Sequence, residues 1–398
     1  MSKSPAWFCL AAALLLSCVS VSTAQEAEGK KISFKKTEIE RVFRSEGAAV
    51  GDFNKDGKLD ISAGSVWFAA PDWKKHDFLD KAKEFNPAGY SDTFCNFADD
   101  VNGDGWTDLL VVDFPGKSTW WFENPKGAEG PWKRHECISV TNNESPLFVD
   151  VDGDGKRELV LGYSPDPKQG DGPDRKMAII RRSEEAGKPW KIQDVSAKGA
   201  PGTQRFSHGL GVGDINKDGK NDVLTTEGWW QNPGDATDVA EWKFHGVKFG
   251  PACAHMQVFD YDGDGDNDVL SSSAHQFGIW WFEQTPEGWK QHEIDKSFSQ
   301  THALVQADIN GDGLPDFVTG KRWWAHGAKG DPGSDQPAVM YWFELQRTKE
   351  GPKWIPHIFD HNSGIGTQFE VIDVNGDGLL DVVTSNKQGT FYFQQVRE

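Results

Sequence analysis

The stretch Asp373-Val374-Asn375-Gly376-Asp377-Gly378-Leu379-Leu380-Asp381 decides how this 398-residue chain is read. It sets side-chain oxygens at positions one, three, five and nine, with glycine at six. Alternating Asp and Asn at one, three and five aims three oxygens at one point, and glycine permits the sharp turn that follows. The ninth-position Asp closes the cage from the far side. Crowded anionic oxygens suit a hard cation, Ca²⁺ first, because no soft or nitrogenous donor is present.

The pattern occurs seven times. Its ligand positions are Asp373, Asn375, Asp377 and Asp381 here, and Asp52, Asn54, Asp56 and Asp60 in the first copy. The others are Asp100, Asn102, Asp104 and Asp108; Asp150, Asp152, Asp154 and Glu158; Asp214, Asn216, Asp218 and Asp222; Asp260, Asp262, Asp264 and Asp268; and Asp308, Asn310, Asp312 and Asp316. An EF-hand needs a bidentate Glu at position twelve, inside a helix. Position twelve here is Ala63, Val111, Leu161, Thr225, Ser271, Thr319 or Thr384, and each loop runs into a β-branched or aliphatic stretch. These are strand–loop–strand sites, with up to seven structural Ca²⁺ expected.

The formal charge of −19 follows largely from these carboxylates. Seven divalent cations would neutralise most of it, which argues against nucleic acid as a partner. Residues 1–24 read as a secretory signal, with Lys3, an apolar run from Ala6 to Leu16, and small residues through Ala24. The expected location is secreted or periplasmic, with a lipid anchor at Cys18 as the alternative. No later apolar run is long enough for a transmembrane segment. The three cysteines left after cleavage, Cys95, Cys137 and Cys253, are expected as buried thiols with at most one bridge.

Loops that recur every 46 to 65 residues indicate a propeller or solenoid. Each repeat also carries an aromatic segment such as Thr119-Trp120-Trp121-Phe122-Glu123 and a Trp-Lys-x-His segment such as Trp132-Lys133-Arg134-His135. Four short strands per repeat and seven repeats predict an all-β, seven-bladed β-propeller over 33–398, after a short linker at 25–32. Fourth-strand segments number six for seven loops. Phe34-Lys35-Lys36-Thr37-Glu38-Ile39 matches their pattern, so the N-terminal strand is expected to complete the last blade and leave no open edge.

The seven loops resemble those of FG-GAP or VCBS-type repeat proteins, over about 33–398. The resemblance implies Ca²⁺ at the first, third, fifth and ninth residues of each loop, with a seventh-position carbonyl. The Phe-Gly of the family name survives mainly at Phe277-Gly278. A weaker resemblance, in the Trp–Trp units and Trp-Lys-x-His strands, is to the propeller domain of aldos-2-ulose dehydratase-like proteins.

The loops between strands one and two are short and nearly identical, which suits a structural face. The other face collects the irregular loops, including insertions at 163–176 and 325–338, and there binding residues usually concentrate. Five of the eleven histidines belong to fourth strands. The other six, His208, His255, His275, His302, His326 and His361, map to the irregular face. His208, His255 and His302 fall five or six residues before their loops and are expected to share one level of the channel, around a Zn²⁺-like ion or a ligand. Polar candidates nearby are Glu144, Arg205, Lys321, Arg322, Gln368, Glu370 and Lys387. The pairs Trp120-Trp121, Trp229-Trp230, Trp280-Trp281 and Trp323-Trp324 suit packing between blades better than sugar stacking, because adjacent strand residues face opposite ways.

The favoured function is a binding module, for a glycan or small sugar. The alternatives are a metal-assisted sugar lyase or dehydratase, with Glu144, Glu370 or His275 as base, and a structural or adhesion ring with a protein partner.

Overall fold

A computed structural model describes residues 31–398 except 169, 184–187, 235–240 and 252. The expected signal segment and most of the linker lie outside the described residues. Those described form strands and turns, without a helix long and apolar enough to cross a membrane.

Each sequence repeat supplies four antiparallel strands. The first unit is β2 (Ala49–Gly51), β3 (Asp60–Ala63), β4 (Val66–Ala69) and β5 (Lys74–Asp77). The second is β6 (Cys95–Asp99), β7 (Asp108–Val112), β8 (Lys117–Glu123) and β9 (Lys133–Thr141). The third is β10 (Leu147–Val149), β11 (Glu158–Tyr163), β12 (Lys176–Arg181) and β13 (Lys191–Asp194). The fourth is β14 (Leu210–Gly213), β15 (Asp222–Thr225), β16 (Gly228–Gln231) and β17 (Lys243–Gly246). The fifth is β18 (Gln257–Phe259), β19 (Asp268–Ser272), β20 (Phe277–Thr285) and β21 (Gly288–Ser299). The sixth is β22 (Leu304–Ala307), β23 (Asp316–Gly320), β24 (Met340–Thr348) and β25 (Gly351–Asp360). The last is β26 (Phe369–Ile372), β27 (Asp381–Asn386) and β28 (Gly389–Arg397), with β1 (Ile32–Glu40).

Five sheets have four strands and one has eight, the second and third units being joined through a single pair, Tyr163 with Thr141. β1 pairs along β28 from Ile32–Arg397 to Glu40–Thr390, so the N-terminal strand is the fourth strand of a sheet otherwise built from the C-terminus. First strands lie beside one another, β2 next to β6, β10 to β14, β14 to β18 and β22 to β26. β26 in turn lies beside β2.

The cores sit between sheets. Trp230 packs with Ile179 and Met177 of the third unit, whereas Trp229 packs with Met256 and Trp280 of the fifth. Trp280 and Trp281 divide in the same way, towards the fourth and sixth units. Opposite side-chain directions along a strand thus feed two cores at once. A further core joins Ala48, Ile61 and Phe68 of the first unit to Val374, Val383 and Tyr392 of the last. Trp323-Trp324 departs from its expected strand position and lies in the loop between β23 and β24.

The fourth-strand histidines have one job in five places. His76, His135, His245, His292 and His357 each pair in register with a third-strand Trp. Their rings stack with centroids 4.1–4.6 Å apart. Cys95, Cys137 and Cys253 are buried free thiols.

Candidate functional site

Two sets of side chains carry chemistry, at opposite ends of the strands. At one end are the seven loops that precede each second strand. Their sixth-position glycines all have positive φ, 82° to 106°, the region where a Cβ is costly. In six loops that N–H donates to the first Asp, at 2.7–2.9 Å.

The ninth residue behaves differently from the expected open ligand. In all seven loops one of its oxygens accepts the N–H of loop residue two, at 3.0–3.2 Å. In the six loops with Asp there, the other oxygen accepts an N–H at or just beyond the third strand, 2.8–2.9 Å away. This buried carboxylate is a strut between loop and strand. Oxygens of positions one, three and nine still converge in two loops, at Asp150, Asp152 and Glu158 and at Asp260, Asp262 and Asp268. Asp154 and Asp264, at position five, accept N–H groups of their own loops. Burial pushes Asp108, Asp222, Asp268 and Asp316 up to about 7, against their backbone hydrogen bonds, and crowded carboxylates add to it. An all-oxygen donor set whose negative charge is only partly offset, by ion pairs such as Arg181–Asp152 and Lys217–Asp260, fits Ca²⁺.

At the other end, loops from several units meet. His208 Nε2 lies 3.0 Å from His275 Nε2, 3.2 Å from His302 Nε2 and 3.5 Å from Glu144 Oε2. His302 Nε2 is 3.0 Å from the same Glu144 oxygen. Arg322 Nη1 donates to that oxygen at 3.2 Å and its Nε donates to Glu46 Oε2 at 3.2 Å, so one buried guanidinium is shared by two buried carboxylates. Burial, then the Arg322 charge, pulls His302 well below the usual imidazole range. Burial, then His208, takes His275 to about 4. Burial would raise Glu144, but hydrogen bonds from His208 and His302 outweigh it and hold it well below the carboxylate range.

A neutral imidazole has one N–H. With protons on Nε2 of His275 and His302, these donate to the His208 Nε2 lone pair and to Glu144, and the buried Nδ1 atoms of His302 and His275 are left without a hydrogen-bond partner. With the protons on Nδ1 instead, three Nε2 lone pairs converge on one point beside a carboxylate, a donor set that fits a borderline cation of the Zn²⁺ class.

The shared site differs from the expected one in one member. His255 is absent from it, and His275 takes its place. His255 is buried, brought to about 4 by burial, and its Nε2 has no partner. The reason is register. His208, His302, Glu144 and Glu46 all stand six residues before their loops, whereas His255 stands five before. Gln368, also five before, is a strut that accepts the N–H of Ala48 and donates to its carbonyl. Glu46 is a member that a search confined to histidines overlooks, although its repeat position marks it.

The other candidates surround this point or leave it. Glu370 accepts from Gln368 at 3.0 Å, and burial raises it to about 7; it makes no hydrogen bond to the histidines. Lys321 is fully buried and donates to Ser299 Oγ and the Gly333 carbonyl. Arg205 donates to the Pro115 carbonyl and lies over Phe206, at the rim. His361 is exposed. Asp331, unanticipated, holds His326 Nδ1 at 3.0 Å and stands 3.7 Å from His275 Nδ1. Tyr90 and Phe206 rank among the few exposed large rings, with Phe114 between them at 5.6 Å from each. Trp323 and Trp324, directly after Arg322, stack at 4.3 Å and are half-buried.

A crevice of about 1170 Å³ lies elsewhere, between the third and fourth units, lined by Val151, Arg181, Asp194, Lys220 and Trp242 among others, with none of these histidines.

Residues 100–161 and 260–319 match the FG-GAP-like repeat family, each segment spanning two of the seven loops. The chain therefore carries FG-GAP-like repeats. No curated protein matches the chain. Among solved structures it is similar to the exotype rhamnogalacturonan lyase YesX, with 12% identity and TM-score 0.45, over 91% of this chain and 72% of that one. It is similar to the rhamnogalacturonan lyase YesW, with 11% identity and TM-score 0.44, over 94% and 73%. AofleA from Arthrobotrys oligospora has 13% identity and TM-score 0.38, over 83% and 91%.

Proposed function

We propose that this FG-GAP-repeat protein is a secreted, calcium-stabilised propeller of seven blades, closed by β1, which binds a carbohydrate at a metal held by His208, His275 and His302. The observation that carries this reading is the convergence of three Nε2 atoms beside Glu144. The closed ring is supported by β1 pairing with β28 and by the core shared between the first and last units. Calcium is supported by the oxygen donors of the loops, and secretion by the character of residues 1–24.

Exposed Tyr90 and Phe206 and the half-buried Trp323–Trp324 stack offer apolar faces around a polar centre, the combination that suits a sugar ring's C–H faces and hydroxyls. When bound, the metal supplies a Lewis acid that takes an oxygen ligand. Neutral His275 and His302 would help to hold the metal, while Arg322 donates to Glu144 and keeps it in place.

Binding is favoured over turnover because the three candidate bases are engaged. Glu144 is paired with Arg322, Glu370 is bound to Gln368, and His275 is turned to the other histidines. Titration of the zinc-loaded and chelated protein with a glycan panel tests this. Binding that requires the metal and disappears in His208→Ala/His302→Ala is expected. Metal-independent binding that survives the double substitution would count against it.

A further inference from the structure

Lys387 lies in the turn between β27 and β28 and is 5% exposed. Its Nζ stands 4.2 Å from the centroid of the Tyr90 ring, at the mouth. Among the described residues it makes no hydrogen bond and no ion pair. Every other buried cation of this region has acceptors: Arg322 has Glu46 and Glu144, and Lys321 has Ser299 and Gly333. An ammonium at the mouth that has an aromatic face beside it and no protein acceptor is open to an anionic ligand. Burial pulls Lys387 below its ordinary range, while Glu46 and Glu144 oppose that pull and Arg322 adds to it.

The charge balance points the same way. Glu46 and Glu144 share Arg322, which leaves one negative charge in excess. Lys387 cancels it. A divalent cation on the three neutral imidazoles then makes the mouth a net cationic pocket, next to Arg205 at its rim.

Resting on the metal-dependent sugar reading above, we infer that the ligand carries a carboxylate, read by the Lys387 ammonium beneath Tyr90, so that the site takes acidic sugars of the uronate class. The carboxylate supplies the acceptors that Lys387 lacks, and hydroxyls of the same ring are left for the metal. Tyr90 fixes the ammonium from one side: its hydroxyl donates to the Ala325 carbonyl at 2.9 Å, which ties the ring to the loop that carries Arg322.

The test is calorimetric titration of the zinc-loaded full chain with D-glucuronate and D-galacturonate against D-glucose and D-galactose. The acids are expected to bind about tenfold tighter or better. Lys387→Met should bring the ratio below about threefold at unchanged zinc content and melting temperature, and Lys387→Arg should restore part of it. Equal affinity for acid and neutral sugar in the unsubstituted protein, no uronate binding at millimolar concentration, or a preference intact in Lys387→Met would each overturn the inference. An acid preference that depends on Lys387 but persists after chelation would instead sink the metal reading and leave this inference standing.

Discussion

The two ends of the strands use the same repeat in opposite ways. At the loop end, copies of one pattern do one thing: the first carboxylate takes N–H groups of its own turn, and in six of the seven loops the ninth ties the turn to strand three. At the mouth, one repeat position holds five residue types across seven units, Glu46, Phe94, Glu144, His208, Ala254, His302 and Thr367. Repetition at the loop end builds a frame, and variation at the mouth places unlike groups on one level of it. The contrast teaches that a residue's repeat position gives its location, while its departure from the repeat gives its chemistry.

The largest effect should come from the mouth. Arg322→Met leaves two buried carboxylates facing each other without their shared cation, and should cost roughly 3–5 kcal/mol in denaturant unfolding. At the loop end, Asp316→Ala strands the N–H groups of Ile309 and Leu345 and should cost roughly 2–4 kcal/mol. A loop substitution that outweighs Arg322→Met would break the comparison. The Asp316 loss should also shrink the stabilisation gained on adding Ca²⁺.

Lys321 gives a pH test. Burial holds it at about 8, with Asp331 and Asp335 opposing, so between about 8 and 10.4 the unfolded chain binds a proton that the folded chain has released. Stability relative to Lys321→Met should therefore rise with pH across that window, by roughly 3 kcal/mol at most. A flat difference would show that the ammonium is better solvated than its burial implies. The smallest effect belongs to the fourth strands. His245→Ala removes one Trp–His stack and a hydrogen bond to Gln231 and should cost about 1 kcal/mol, with no change in metal content.

Much of the frame is legible in the sequence because it is written several times over. The loop spacing, the aromatic third strands and the Trp-Lys-x-His segments each mark a local hydrogen-bond or stacking pattern that recurs. Phe34–Ile39 could be matched to β9 for the same reason. The mouth is legible only as far as the repeat position reaches. His208 and His302 share it, and reading every residue there, instead of histidines alone, also brings in Glu46. His275 and Asp331 could not be reached in this way, since both sit in loops between second and third strands whose paths no periodicity describes. His255 misled because it stands one residue away from the repeat position that His208 and His302 share. The ninth carboxylates looked like open ligands because the sequence shows the oxygens and not the N–H groups that occupy them.

The central claim is the metal at the mouth, and elemental analysis of the purified, dialysed full chain tests it most directly. The account predicts one transition metal per chain beyond any calcium, lost in His208→Ala/His302→Ala and retained in His255→Ala. Calcium alone, or a transition metal that survives the double substitution, would contradict it.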